Sequence, residues 1–313
     1  MDGILLINKP PGLTSHDVVQ RIRKSLSIQK VGHFGTLDPM ATGLMIVAVG
    51  KATRFFPFYS KLDKNYRGQI RLGFATNTYD AEGKPSMPEN TAYPSEKDVL
   101  EKMAELVREI EQTPPPYSAK KFKGKPLYVY ARKNQEVKTR PVTVRIDAFR
   151  LESYDAPFLR FKVSCSSGTY IRSLAHELGR SLECGAHLTQ LERTAIGSYE
   201  IRSSISLQDL DRHVREGTIE KVFIPIESLL PELPKIILNE EGITVVQNGN
   251  IVLAEHIQAL PSEIEDLSST QTEPINICRL FSPYGRLLAL GKPFPEKKGL
   301  HPYLVIDSKE FKV

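Results

Sequence analysis

Apolar and polar positions follow helical periods in some parts of the chain and strand-like periods in others, and no internal repeat is visible. Apolar residues at helical spacing predict three helices, over about 17–26, 95–110 and 168–182. Ser15 is expected to cap the first helix, and Ser95 with Asp98 resembles a capping box at the start of the second. The third helix is predicted to carry Arg172 near its first turn.

Apolar and charged side chains alternate with the period of a strand in three segments, at 69–74, 142–146 and 159–163. Strands with one buried face and one wet face are typical of antiparallel sheets. Polar stretches at 84–98 and 112–116 indicate loops. The pattern therefore predicts an α+β fold with a mixed, largely antiparallel sheet flanked by helices.

A domain boundary is predicted near residue 230, because three prolines fall within residues 225–234. We therefore expect a larger domain over 1–230 and a small β-rich domain over 231–313. The second domain is indicated by four β-type runs and an acidic insertion over 263–273. The runs lie at 251–253, 275–281, 287–290 and 303–306.

Basic charge is concentrated in the first of these domains. The whole chain of 313 residues has a formal net charge of +5. Residues 227–313 carry 8 Lys and Arg against 12 Asp and Glu, whereas residues 1–226 carry 34 against 25, a net charge of +9. A basic domain suits a polyanionic partner without requiring one.

Several classes of protein are excluded by absent motifs. Three cysteines without a CxxC pair predict neither disulfides nor a thiolate metal site. His176 and Glu177 begin like a zinc-protease helix, but Arg180 stands where the second histidine belongs. There is no P-loop or GxGxxG, so no metal or nucleotide cofactor is expected. Apolar runs fall far short of the ~20 residues of a membrane span, and the predicted location is the cytoplasm.

Asp38 is the strongest candidate for chemistry. It lies in a segment, residues 32–43, that contains three glycines, Pro39 and this single carboxylate. Glycine permits unusual backbone angles, and Pro39 disfavours a helical conformation at Asp38. The sequence therefore predicts an irregular loop that presents one acid. Such a segment is also compatible with an ordinary surface turn.

Five blocks together resemble the bacterial tRNA pseudouridine-55 synthases, which isomerise a uridine in the T-loop of tRNA. The blocks occur in the family's order and span about residues 2–195. One departure is Lys133-Asn134, where the family usually has a glycine. The blocks are the Asp38 segment, NKPPGLTS at 8–15, KNYRG at 64–68, PYSAKKFKGK at 116–125 followed by YAR at 130–132, and CSSGTYIRSL at 165–174.

The resemblance implies a pseudouridine synthase fold and roles for three residues. Asp38 would act as a nucleophile at the ribose or uracil ring, or as a base at the ribose C2′ position, and the sequence does not choose between these. Arg172 would be its counter-charge, because a guanidinium can hold a carboxylate through two bonds. It could instead contact a phosphate or be an exposed arginine of the helix. Tyr66 would stack on the extruded uracil and take the C5 proton, or be a core tyrosine.

Residues 120–145 carry nine Lys and Arg against one Glu, interleaved with aromatic residues. This composition is typical of RNA-binding segments and also of a solvated basic face. His33 is expected to fill the gap left by the flipped base, to hydrogen-bond the substrate backbone, or to be structural. Lys9 is expected either to contact the RNA backbone or to be a turn residue. The complete set of predicted RNA contacts is Lys9, His33, Lys64, Arg67, Tyr117, Lys120, Lys121, Lys123 and Leu191.

Three functions remain open at this level. The first is a monomeric tRNA uridine isomerase that binds the T-arm. The second is an RNA-binding or tRNA-folding module with little or no catalysis. The third is a nucleoside hydrolase in which Asp38 pairs with Asp63 or Asp80. The C-terminal domain resembles the PUA-type RNA-binding module that many of these synthases carry, or is a structural appendage.

Overall fold

The computed structural model of the chain describes residues 1–118, 120–131, 133, 135, 137, 139–261 and 277–306. These residues form two compact units, one from Leu5 to Phe223 and one from Met1–Ile4 together with the chain from Ile224 onward. The predicted domain boundary at residue 230 stays a prediction. No helix in the described ranges has the length and apolar character needed to cross a membrane.

The α-helices and β-strands were numbered in chain order. The helices are α1 (Ser15–Leu26), α2 (Phe56–Tyr59), α3 (Glu96–Glu105), α4 (Leu127–Ala131), α5 (Ile171–Ser181), α6 (Leu207–Arg215) and α7 (Glu240–Gln247). The strands are β1 (Gly3–Lys9), β2 (Val31–His33), β3 (Thr42–Val49), β4 (Lys64–Leu72), β5 (Glu109–Gln112), β6 (Lys121–Phe122), β7 (Lys125–Pro126), β8 (Val142–Asp155), β9 (Phe158–Cys165), β10 (Ala186–Ile196), β11 (Tyr199–Glu200), β12 (Phe223–Pro225), β13 (Lys235–Leu238), β14 (Ile257–Ala259), β15 (Cys278–Phe281), β16 (Leu287–Phe294) and β17 (Gly299–Val305).

The larger unit is built on a central sheet with the strand order β1-β3-β10-β4-β9-β8-β5. Neighbouring strands from β10 to β5 run antiparallel, whereas β10 and β3 are parallel. The predicted α+β class with a mixed, largely antiparallel sheet is confirmed. Apolar residues of α1, α3 and α5 pack with those of the sheet in one core. The parallel contact between β3 and β10 matters for function, because β3 follows the Asp38 segment.

The predicted elements were found with shifted ends. The capping box of Ser95 and Asp98 is confirmed, but α3 ends at Glu105 and Ile110 lies in β5. The prediction that Ser15 caps α1 is wrong. Thr14 is the cap and its hydroxyl accepts from the Asp17 backbone N–H, because Ser15 is already the first helical residue.

The C-terminal unit is β-rich, as predicted. Its sheet has the order β14-β13-β15-β16-β17 around a small apolar core. The run at 251–253 is not a strand, since Val252 forms only an isolated bridge to Leu300. Helix α7 was not predicted. The acidic insertion at 263–273 lies outside the described residues, and the PUA-like character of this unit stays a prediction.

Candidate active site

Asp38 lies in an irregular loop between β2 and β3, as its sequence predicted. The loop is tied to the start of α1, because the Ser15 hydroxyl accepts from the Leu37 backbone N–H at 2.8 Å and donates to the Leu37 carbonyl at 3.1 Å. The Asp38 carbonyl accepts from the Ala41 N–H at 3.1 Å. The acid is therefore held on a shaped segment that belongs to no regular element.

Arg172, in the first turn of α5, binds the Asp38 carboxylate at both oxygens. Its Nε donates to Oδ2 at 2.7 Å and its Nη2 to Oδ1 at 3.2 Å. The arginine side chain is 4% exposed and the aspartate side chain 32% exposed. The structure therefore brings these two predicted site residues together, with the cation buried and the carboxylate open to solvent on one side.

Arg172 has a second carboxylate partner that the sequence analysis did not assign to it. Its Nη1 lies 3.2 Å from Oδ2 of Asp80, and its remaining donors reach the carbonyls of Thr78 and Tyr117, each at 3.2 Å. Asp80 is itself fixed, because its Oδ1 accepts from the Thr78 hydroxyl at 2.6 Å and from the Glu82 N–H at 3.1 Å. The guanidinium is thus held in one orientation by five acceptor atoms.

This arrangement argues against a two-carboxylate hydrolase. Asp80 is only 5% exposed and its oxygens are engaged by the protein, so it does not offer a free base beside Asp38. Asp63 instead pairs with Arg145 at 2.8 Å on the exposed surface. Asp38 is the carboxylate that remains accessible in this cluster.

Tyr66 lies on the central strand β4 and is buried, with 8% of the residue exposed. Its cross-strand partner on β10 is Arg193, so the two side chains lie on the same face of the sheet. Burial raises the pKa of Tyr66, while the positive charge of Arg193 acts in the opposite direction. The phenol is therefore protonated at neutral pH.

Lys9 is completely buried and does not present its ammonium group to RNA, contrary to its predicted role. Its Nζ donates to the carbonyls of Pro10, Leu13 and Pro39 at 2.8–3.1 Å, which fixes the N-terminal turn against the residue after Asp38. Burial lowers the pKa of Lys9 to about 8. The structure assigns it a bracing position instead of a phosphate contact.

Lys64 is also placed in the interior, where its Nζ donates to the carbonyls of Ser60 and Leu62 at 2.8 and 2.5 Å. Burial lowers its pKa to about 8. Long cationic side chains are usually solvated, so sequence alone gave no sign that both lysines satisfy their charge with backbone carbonyls.

His33 ends β2 and opens the loop of Asp38. Burial lowers its pKa, so the imidazole is neutral at pH 7. Leu191 and Arg67 line a cleft of about 590 Å³ beside Met40 of the same loop. Arg67 is exposed and pairs with Glu192 at 2.5 Å. These predicted contacts therefore border the loop of Asp38.

Part of the basic segment forms a small hairpin of β6 and β7 with Lys123 and Gly124 at its turn. Lys121, Lys123 and Lys125 are exposed and Lys120 is partly exposed. Tyr117 precedes the hairpin and lines a cavity of about 740 Å³. The departure at Asn134 and the basic residues Arg132 and Lys138 lie outside the described residues.

Arg193 is a buried site residue that the sequence analysis missed. It is 1% exposed and donates to the carbonyls of Leu44, Thr36 and Gly35 at 2.7, 3.2 and 3.2 Å. The available signal was its phase in β10, because it lies two residues from Leu191 and two from Ala195, both buried. Within the described ranges no group of three or more His, Cys, Asp or Glu could hold a metal ion.

Two family models together match most of the larger of the two units. The model of the TruB family pseudouridylate synthase N-terminal domain matches residues 23–171, and that of the tRNA pseudouridylate synthase B C-terminal domain matches residues 172–231. The first match contains Asp38, Tyr66 and Asp80, and the second begins at Arg172.

Similar proteins extend the comparison to the whole chain. A tRNA pseudouridine synthase B of Dehalococcoides mccartyi is 41% identical over 82% of this chain and 86% of the relative. One of Bacillus cereus is 37% identical over the full length of both. Among solved structures, a Cbf5-Nop10-Gar1 complex matches at 26% identity with a TM-score of 0.71, covering 98% of this chain and 85% of that chain. An H/ACA RNP bound to a substrate RNA containing 2′-deoxyuridine matches at 25% identity with the same TM-score. This match covers 98% of this chain and 86% of that chain.

The sequence matches cover the loop of Asp38, strand β4 and helix α5, which together form the site, and they agree with the fold. The chain therefore belongs to the TruB family of pseudouridine synthases.

Proposed function

We propose that this chain isomerises uridine 55 in the T-loop of tRNA to pseudouridine, with Asp38 as the catalytic carboxylate. The observation that carries the proposal is the pairing of a partly exposed Asp38 with a buried, fully engaged Arg172. The names of the relatives support tRNA as the substrate. The T-loop position comes from the resemblance of the sequence motifs.

The reaction breaks the N-glycosidic bond, turns the uracil, and rejoins it to the ribose through C5, so no redox cofactor is needed. Because Arg172 binds both oxygens of the Asp38 carboxylate, it fixes the orientation of this group and does not itself make it more reactive. Attack by Asp38 on the ribose or uracil ring and abstraction of a proton from C2′ both remain consistent with this geometry.

Uridine in a folded loop must leave its stack before it reaches Asp38, at a cost of a few kcal/mol. Stacking on an aromatic ring returns about 1–3 kcal/mol. Tyr66 suits this stacking role, because its phenol is protonated at neutral pH and needs no change in charge. Taking the C5 proton would require a group that stabilises the phenolate.

The exposed lysines of the β6–β7 hairpin support binding of the RNA backbone. A binding module without catalysis would need these lysines but would not need Arg172 to bury its charge against Asp38 and Asp80. Catalysis is therefore the better account of the site. The monomeric state, the cytoplasmic location and an RNA-binding role of the C-terminal unit stay predictions.

The proposal is tested with an unmodified tRNA transcript that carries tritium at C5 of its uridines. We expect the purified protein to release one equivalent of tritium, and chemical mapping to place the new pseudouridine at position 55. A transcript with cytidine at that position is the matched control and should release none. Free uracil as the product would support a hydrolase, and binding without release would support the RNA-binding module.

A further inference from the structure

Arg193 occupies a place that is unfavourable for a cation. It is almost fully buried, and its three carbonyl acceptors are neutral groups that offset the cost of desolvation only in part. Its positive charge also lowers the pKa of Lys9, Lys64 and His33, which places it among other basic groups. A charge kept at such a position indicates a specific requirement for its hydrogen bonds.

The acceptors of Arg193 lie on both sides of the catalytic acid in the chain. Gly35 and Thr36 precede Asp38 in the loop, whereas Leu44 follows the loop in β3. The guanidinium therefore closes the base of the loop. In the parallel contact of β3 and β10, Gly43 pairs with Arg193. This pairing keeps Arg193 close to the end of the loop.

Arg193 is also paired with Tyr66 across β10 and β4, which places the two side chains next to each other on one face of the sheet. One side chain thus binds the loop that presents Asp38 and lies beside the aromatic residue proposed to hold the uracil.

We propose that Arg193 is a positioning residue of the isomerisation, which fixes the loop of Asp38 and the phenol of Tyr66 relative to each other. The inference rests on the proposed function, since it assigns a part in that reaction to a residue outside the group that contacts substrate. It acts through three separate nitrogens of a planar guanidinium, whereas a lysine at this position keeps the charge but carries all its donors on one nitrogen and cannot span the same three carbonyls.

The test compares Arg193→Lys with a matched control, Arg279→Lys. Arg279 is also buried and donates to three carbonyls, those of Leu229, Pro231 and Leu233, but it lies in the C-terminal unit. Tritium release is measured per folded molecule, with folding followed by circular dichroism and tRNA affinity by filter binding. We expect Arg193→Lys to lower kcat about 100-fold with KM and Kd within about threefold of the parent, and Arg279→Lys to leave kcat unchanged.

A double-mutant cycle separates positioning from a general effect on stability. Tyr66→Phe removes the hydroxyl of the residue paired with Arg193 and keeps the ring. If Arg193 acts in part through this phenol, Arg193→Lys will lower kcat at least about fivefold less in the Tyr66→Phe background than in the parent. If Arg193→Lys lowers kcat by the same factor in both backgrounds, this part of the proposal is overturned.

A second measurement covers the case in which Arg193→Lys fails to fold. In protein labelled with ¹⁵N-arginine, the guanidinium resonances of a fixed Arg193 should be resolved, and Tyr66→Phe should shift them. Unchanged resonances would overturn the contact on which the proposal depends. A kcat equal to that of the parent in folded Arg193→Lys would also overturn the proposal. Absence of tritium release by the parent protein would instead count against the proposed function itself.

Discussion

Arg172 binds Asp38 through two parallel hydrogen bonds while its remaining donors are held by groups inside the protein. A carboxylate gripped at both oxygens has a fixed plane, and its exposed edge is the part open to a substrate. The exposure of 32% for Asp38 against 4% for Arg172 shows which partner faces solvent. Arg172 is therefore placed to orient Asp38 and not to contact a phosphate.

Asp80→Asn should weaken both the fold and the reaction. Removing one charge from a buried pair leaves Arg172 undercompensated, and we expect the free energy of unfolding to fall by about 3–5 kcal/mol. A guanidinium less firmly held should misplace Asp38 and lower kcat about 10- to 100-fold. Urea unfolding and tritium release measure the two effects. Asp63→Asn is the control, because its pair with Arg145 is exposed and screened by solvent.

Gly43→Ala should be more damaging than Gly12→Ala. Both glycines have positive φ, 106° and 83° respectively, so each substitution strains the backbone. A Cβ on Gly43 would also lie 2.4 Å from the carbonyl oxygen of Arg193, whereas one on Gly12 would meet no atom within 4 Å. Denaturant melts should therefore show an additional loss of about 1–3 kcal/mol for Gly43→Ala. Equal losses would contradict the close approach of β3 to β10.

The buried lysine at position 9 predicts an unusual dependence of stability on pH. Its pKa falls from 10.5 in the unfolded chain to about 8 in the folded protein. Below pH 8 both states carry the proton, but between about 8 and 10.5 only the unfolded state does, so the contribution of Lys9 to stability rises with pH. The unfolding free energy of the parent relative to Lys9→Met should increase between pH 7 and 10.

The matched substitution on the surface is Lys97→Met, on the exposed face of α3. It should show a flat difference from the parent over the same range of pH. A falling difference for Lys9→Met would mean that the ammonium group of Lys9 is stabilised, not penalised, by its surroundings.

The hairpin lysines should account for part of the salt dependence of tRNA binding. Each phosphate contact contributes about 0.7–0.9 to the slope of log K against log salt concentration. Lys121→Gln with Lys123→Gln should therefore make the slope shallower by about 1.5. Filter binding between 50 and 200 mM salt measures this. The control is the double substitution of Lys97→Gln with Lys102→Gln on α3. An equal change of slope in the two double variants would mean that the hairpin lysines contribute no more to binding than other surface lysines.

The features predicted well from the sequence depend on local chemistry. Glycines and Pro39 determine that the Asp38 segment is irregular, and the capping box of Ser95 lies within a single turn. Arg172 was expected to be the counter-charge because of the shape of its donors and the family motif, although it lies 134 residues from Asp38 in the chain.

The features that were missed depend on which distant segments meet. The carbonyl partners of Arg193 lie about 150 residues away and carry no signature in their own sequence. Asp80 was considered as a second carboxylate beside Asp38 in a hydrolase, whereas the structure pairs it with Arg172. Lys9 and Lys64 were expected to face RNA, because nothing in the sequence shows that backbone carbonyls satisfy their charges.

The central claim is that Asp38 performs the chemistry while other groups bind the RNA. Tritium release by Asp38→Asn, measured alongside its affinity for unmodified tRNA, tests this most directly. The amide oxygen can still accept from Arg172, so the fold should persist and Kd should stay within about threefold of the parent. We predict release no faster than the rate without protein. Release within about tenfold of the parent rate would contradict the account.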